Sequence, residues 1–160
     1  MKQQPISNGE NVHPLAFPHF ERLKLLFESE PAYQLVGIKL TSLAQGSCIT
    51  TTPVKQELLH HRGAVQGGII ATIADATAGH AALAALPQEA VPDDIATIEF
   101  KTSYFRPALA DELVCTSNVT FTGGRVVFCN AQIYLNEPLP ENLCAESTLT
   151  FTRIRTHRRT

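Results

Sequence analysis

Residues Gln66–Leu86, QGGIIATIADATAGHAALAAL, contain no proline, are rich in alanine and end against Pro87. That pattern predicts one long helix. After Gln66 its polar side chains are few and scattered: Thr72, Asp75, Thr77 and His80. A helix this apolar on nearly every face cannot lie on a surface with one side in water. The remaining chain has to wrap it.

Most of the remaining chain reads as strand. Gly37–Leu43 and Ser47–Pro53 are two short candidates joined around Gln45-Gly46,. In Ile95–Phe105, the residues Ile98, Phe100, Thr102 and Tyr104 alternate with Thr97, Glu99, Lys101 and Ser103. Leu113, Cys115, Ser117, Val119 and Phe121 mark the next strand. Gly123-Gly124 turns it into Arg125–Leu135 as a hairpin,. After the loop NEPLPEN, Leu143–Ile154 alternates again. Ahead of the strands, Phe20, Leu23, Leu26 and Phe27 recur at helical spacing between Pro18 and Ser29,. Val54–Val65 shows neither period and reads as a loop.

The expected order is helix, two strands, long buried helix and four-strand meander. The class is α+β: an antiparallel sheet wrapped around a central helix. One domain over residues 1–160 is expected, with a loose lead-in at 1–16 and a basic tail at 156–160.

Composition narrows the function. With 44% apolar and 18% charged residues the chain belongs with ordinary globular proteins,. A formal net charge of −2 provides no positive field to gather nucleic acid or anionic membrane,. No apolar run is read as long enough to span a bilayer, and the N-terminal residues lack the apolar stretch of a secretory signal. A cytoplasmic location is the resulting expectation. Cys48, Cys115, Cys129 and Cys144 are widely spaced, each inside a strand candidate. They read as small core residues rather than a metal or redox motif.

Asp75 is the residue that does not fit its surroundings. A carboxylate within IIATIADATAG is costly to desolvate unless it is paired or useful,. It either performs chemistry or satisfies a neighbouring strand or helix end. At the start of the same helix, free backbone N–H groups and the positive end of the dipole suit developing negative charge. Gly67-Gly68 either leaves those groups sterically open or merely lets a strand pass close. Eight residues separate Gly67 from Asp75, about 12 Å of helix rise. The two cannot grip one carbonyl carbon from the same helix. Two antiparallel copies about a two-fold axis would bring Gly67 of one chain beside Asp75 of the other.

Other chemistry has thinner support. There is no G-x-G-x-x-G, no G-x-S-x-G and no metal-ligand spacing,. His80 stands five residues past Asp75, about 140° around the helix, and is not expected to share its face. Arg106 and Arg125 sit at strand ends, where they either bind nucleotide phosphate or are plain surface cations. Arg153, Arg155, Arg158 and Arg159 read first as a solvated tail.

The segments HHRGAVQGGIIATIADATAGHAA, TIEFKTSYFRPA and GGRVVF resemble the PaaI-like branch of the hotdog-fold thioesterases over about residues 35–155. The resemblance implies a sheet around a long helix, dimers pairing into homotetramers, and hydrolysis of acyl- or aryl-acyl-CoA to free acid and CoA. CoA would be part of the substrate, with no further cofactor and no metal. On the same ground Gly67 polarises the thioester carbonyl and Asp75 activates water or attacks directly. Thr97 helps hold the water. His60, Gly68, Arg106 and Arg125 are the expected substrate-binding residues. The branch's motif, N-x-x-G-x-x-H-G-G, is departed from twice: Gln66 replaces the histidine and His60 the asparagine. A glutamine still has an N–H to donate to a carbonyl. The two departures also motivate an alternative, a non-catalytic acyl-CoA-binding module on the same fold. A hydratase using a histidine ranks below both.

Overall fold

The computed structural model describes residues 17–87 and 94–154. The expected lead-in and basic tail, Arg155, Arg158 and Arg159 included, lie outside them. In chain order the elements are α1 (Phe17–Ser29), α2 (Pro31–Val36), β1 (Lys39–Ala44), β2 (Ser47–Pro53) and α3 (Gly67–Ala85). They continue with β3 (Asp94–Tyr104), β4 (Glu112–Gly123), β5 (Val126–Leu135) and β6 (Leu143–Ile154).

Helix α3 is the core. Gln66 is its N-cap and Leu86 its C-cap, and Ile73, Ala74, Ala78, Ala81 and Ala82 are all 0% exposed. Its small side chains let the sheet close in. Gly79 passes so near β3 and β6 that an added Cβ would stand 3.6 Å from Ile95 and 3.8 Å from Phe151. By length and apolarity α3 does qualify as a bilayer span, contrary to the expectation above. The sheet occupies the place lipid would take. Truncating a filled position such as Ile133 to alanine would cost about 2–5 kcal/mol,. Where α3 carries a hydroxyl, the sheet answers it: Thr77 Oγ1 donates to Ile73 O at 2.7 Å and lies 2.7 Å from the Thr50 hydroxyl. All four cysteines are free and buried.

The six strands form one antiparallel sheet in the order β1-β2-β4-β5-β6-β3. The fold class is as expected, but the four-strand meander is not. Only β4-β5-β6 meander. Strand β2 pairs with β4 from Ser47↔Asn118 to Pro53↔Glu112, so both edges of β4 are occupied. Strand β3 therefore joins the free side of β6 and becomes a sheet edge. Its register shifts between Thr97 and Glu99, which places Ile98 as an extra residue,. Ile98 and Phe100 are 56% and 48% exposed.

Two smaller elements were not legible in the sequence. Helix α2 has only six residues, too few for periodicity. Pro31 starts it, and Gly37 ends it in the left-handed region at φ 88°, donating to Tyr33 O at 2.8 Å. The segment Val54–Val65 contains a 3₁₀ turn at Gln56–Leu58 and a bridge between Leu59 and Val65. The hairpin between β4 and β5 turns, as expected, on Gly124, at φ 53°.

Candidate active site

Two separate clusters stand on α3, one at its start and one at its middle. At the start, Gln66 N donates to Leu58 O at 2.9 Å, which ties the helix entry to the preceding loop. The Gln66 side-chain oxygen turns back to accept from the N–H groups of Gly68 and Ile69. A Cβ at Gly68 would stand 2.8 Å from that oxygen, so glycine makes room for the cap. Gly67 N–H has no acceptor among the described residues. Of the first three donors of the helix, one faces outward unpaired. The sterically open helix start that was expected is partly filled: the Tyr104 ring covers Gly67 and Gln66 already occupies the N–H of Gly68, so the Gly67 N–H is the one left without an acceptor among the described residues.

An open cavity of about 410 Å³ borders this cluster, lined among others by His60, Gly67, Tyr104, Phe105 and Arg106. His60 Nδ1 accepts from Arg62 N at 3.0 Å, and Gly63, at φ 84°, closes the tight turn. Arg106 donates from its guanidinium to Glu141 O at 2.6 Å, which anchors it to the loop before β6. Tyr104 donates to Gly67 O at 2.7 Å. On its edge strand Tyr104 is 50% exposed and lies over the helix start.

Asp75 belongs to the second cluster. Thr97 Oγ1 donates to its Oδ1 at 2.9 Å, and no other hydrogen bond engages that carboxylate among the described residues. Burial holds the carboxyl above its ordinary range, with the Thr97 bond pulling the other way. Desolvation thus exceeds the stabilisation of the charge, the condition for a base stronger than a surface aspartate. The cavity here is about 270 Å³, and Asp75, Thr97, Tyr33, His80, Ile95 and Phe151 are among its walls.

His80 lines the same cavity as Asp75, contrary to the angular expectation. Helices α1 and α2 cover this side of α3 and extend the cavity past one helix face. The His80 ring meets Phe27 and Tyr33 edge-on, at centroid distances of 4.7 and 5.8 Å. Its Nδ1 is 3.2 Å from Ala76 O, while its buried Nε2 has no partner among the described residues. Burial lowers its pKa to about 4, so the ring is neutral at pH 7. Tyr33 is pushed up by burial and then by the Asp75 charge. No sequence signal marked Tyr33, because α2 was not visible.

Asp75 and Thr97 are therefore brought together, as are Gln66, Gly67, Gly68, His60 and Arg106. The two groups border different cavities of one chain. Arg125 lies away from the Gly67 group, at the β4–β5 turn. Its carbonyl accepts from Arg153 N at 2.8 Å, and Arg153 pairs with Ile95 beside the Asp75 cavity.

Comparison with known proteins agrees with this architecture. Residues 62–140, which include the helix start, Asp75, Thr97 and Arg106, match the model of the thioesterase superfamily. A thioesterase family protein from Silicibacter pomeroyi superposes with a TM-score of 0.79 at 22% identity, covering 86% of this chain and 99% of that one. The E. coli PaaI protein from the phenylacetic acid degradation operon gives 0.75 at 18% identity, covering 88% and 96%. In sequence, an inferred esterase of Halobacterium salinarum is 34% identical over 94 residues, 57% of this chain. The match spans 61% of that relative's length. Over residues 62–140 the sequence is similar to the thioesterase superfamily, and the chain shares the hotdog fold of the solved thioesterase structures.

Proposed function

We propose that the chain hydrolyses acyl-CoA thioesters, aliphatic or aromatic, at a site completed by a second copy of itself. The observation that carries this reading is Asp75: a half-buried carboxylate, raised above its ordinary range, held by Thr97 at the edge of a cavity. The expected chemistry follows from the two clusters. Asp75 takes a proton from water as the water oxygen bonds to the thioester carbonyl carbon. The carbonyl oxygen becomes an oxyanion beside Gly67 N–H and the Gln66 amide N–H of the partner chain. One such donor is worth about 3 kcal/mol of barrier. The C–S bond then breaks, and the departing thiolate of CoA receives the proton from Asp75. Direct attack by Asp75 is the variant of the same step, through an anhydride that water later opens.

The two-fold arrangement has separate support. Gly67 and Asp75 border different cavities of one chain, and β3 leaves Ile98 and Phe100 exposed along an open sheet edge,. Arg106 stands near the Gly67 end and Arg125 toward the Asp75 end. A site shared across the axis would thus draw one arginine from each chain for the phosphates of CoA, with His60 and Gly68 beside the thioester. Pairing of dimers into tetramers and a cytoplasmic location belong to the same proposal.

Thiol release from a panel of acyl-CoAs, with Asp75→Ala as control, tests the assignment. Equal rates in the two proteins end it. A second reading, acyl-CoA binding without turnover, draws on Gln66, whose oxygen occupies two donors of the helix start. It predicts saturable binding with no Asp75-dependent thiol release.

A further inference from the structure

Tyr104 hangs from the last position of β3 and reaches across to the first turn of α3. Its hydroxyl donates to Gly67 O at 2.7 Å, and its ring covers Gly67 so closely that an added Cβ would stand 3.4 Å from Cζ and from the hydroxyl oxygen. Gly67 O and Gly68 N–H belong to one peptide unit. The Gly68 N–H in turn donates to the Gln66 side-chain oxygen. The atoms form a continuous chain: the Tyr104 hydroxyl, the Gly67–Gly68 peptide, the Gln66 carboxamide. It ends on the Gln66 amino group, which makes no hydrogen bond among the described residues.

We infer that Tyr104 is a positioning residue for the helix-start donors, acting through the Gly67–Gly68 peptide on the Gln66 amide. This rests on the thioesterase reading above. Each hydrogen bond in a chain polarises the next, so a donor at one end strengthens the free donor at the other. The tyrosine also holds the peptide plane that sets the direction of the cap. Gln66, where the family motif has histidine, then works as a connected amide rather than a loose side chain. The Tyr104 ring lines the cavity itself, but the effect argued here belongs to its hydroxyl alone.

Tyr104→Phe keeps the ring and deletes the hydroxyl. Gln66→Glu keeps an oxygen to cap Gly68 and Ile69 and deletes the amino group. Steady-state thiol release from one acyl-CoA that the wild type turns over should show Tyr104→Phe lowering kcat roughly 3- to 10-fold, with KM within about twofold. In the Gln66→Glu background the same change should have no further effect on kcat, because the end of the chain is gone. Independently of turnover, the Gln66 side-chain amide proton resonances should move upfield in Tyr104→Phe. An unchanged kcat with unmoved amide resonances overturns the role of Tyr104 while the thioesterase reading stands. Equal losses in both backgrounds also overturn it, since the tyrosine would then act without Gln66. A wild type that turns over no acyl-CoA sinks the thioesterase reading, and the inference with it.

Discussion

The Thr97 hydroxyl donates a 2.9 Å hydrogen bond to Asp75 Oδ1, linking the edge strand β3 to the middle of the buried helix α3. A strand residue next to a bulge thereby steadies a carboxylate that burial makes reluctant to ionise. Four measurable consequences follow from this and its surroundings.

Asp75→Asn should reduce thiol release by roughly 100-fold or more, as loss of a catalytic base does. In the wild type, kcat should rise with pH through an ionisation above the ordinary aspartate range. Because the folded pKa of Asp75 lies above the unfolded value, the folded state binds more protons between the two,. Stability contributed by this group is present at low pH and is lost as pH rises through that window. The asparagine variant should therefore unfold at a higher temperature than wild type at pH 7. A variant that is less stable and equally active would contradict both halves.

Thr97→Val should shift the acid limb of that profile upward, since the Thr97 bond favours the charged carboxylate,. The deficit should be largest on the acid limb and disappear on the alkaline plateau, as a one-proton titration requires. A pH-independent deficit would place Thr97 elsewhere in the mechanism.

The shared site makes a counting prediction. Chains carrying Asp75→Ala and chains carrying Gly67→Val should each be inactive alone, the latter because a side chain there crowds the Tyr104 ring. Co-expressed in equal amounts they should recover about a quarter of wild-type activity, because half the two-fold dimers are mixed and each mixed dimer has one intact site. Activity that stays at the level of the single variants would mean each chain is self-sufficient or the pairing is different.

His80 predicts the behaviour of stability in acid. Its folded pKa is about 4 against 6.5 when exposed. Its contribution is thus present above pH 6.5 and is lost as pH falls toward 4. Between pH 7 and pH 5 the loss is about 2 kcal/mol, as an order of magnitude. His80→Phe, which keeps an aromatic ring beside Phe27 and Tyr33, should be less sensitive to acid by that amount in urea titrations. Parallel curves for the two proteins would show that the ring is protonated at no cost.

What could be read without coordinates was whatever a short window of residues determines. The wrapped helix follows from its alanines and the position of Pro87, and the β4–β5 hairpin from Gly123-Gly124. The misfit of Asp75 was legible for the same reason. Strand order was not, because it depends on which edges β2 and β5 occupy on β4, a long-range competition no window records. That one difference moved β3 to the sheet edge and brought Tyr104 to the helix start. The cap formed by Gln66 was also hidden. A glutamine before two glycines gives no indication of which way its carboxamide turns. His80 joined the Asp75 cavity through α1 and α2, and α2 is too short to announce itself.

The crowding around α3 has a practical side. With Ala74, Ala76, Ala78, Ala81 and Ala82 at 0 or 1% exposure, the spine of the protein has no spare volume in which to install a larger residue,. Anyone reshaping the Asp75 cavity for a different acyl chain will have to work from the outer wall, at Leu26, Tyr33 and Ile95, and leave the spine as it stands.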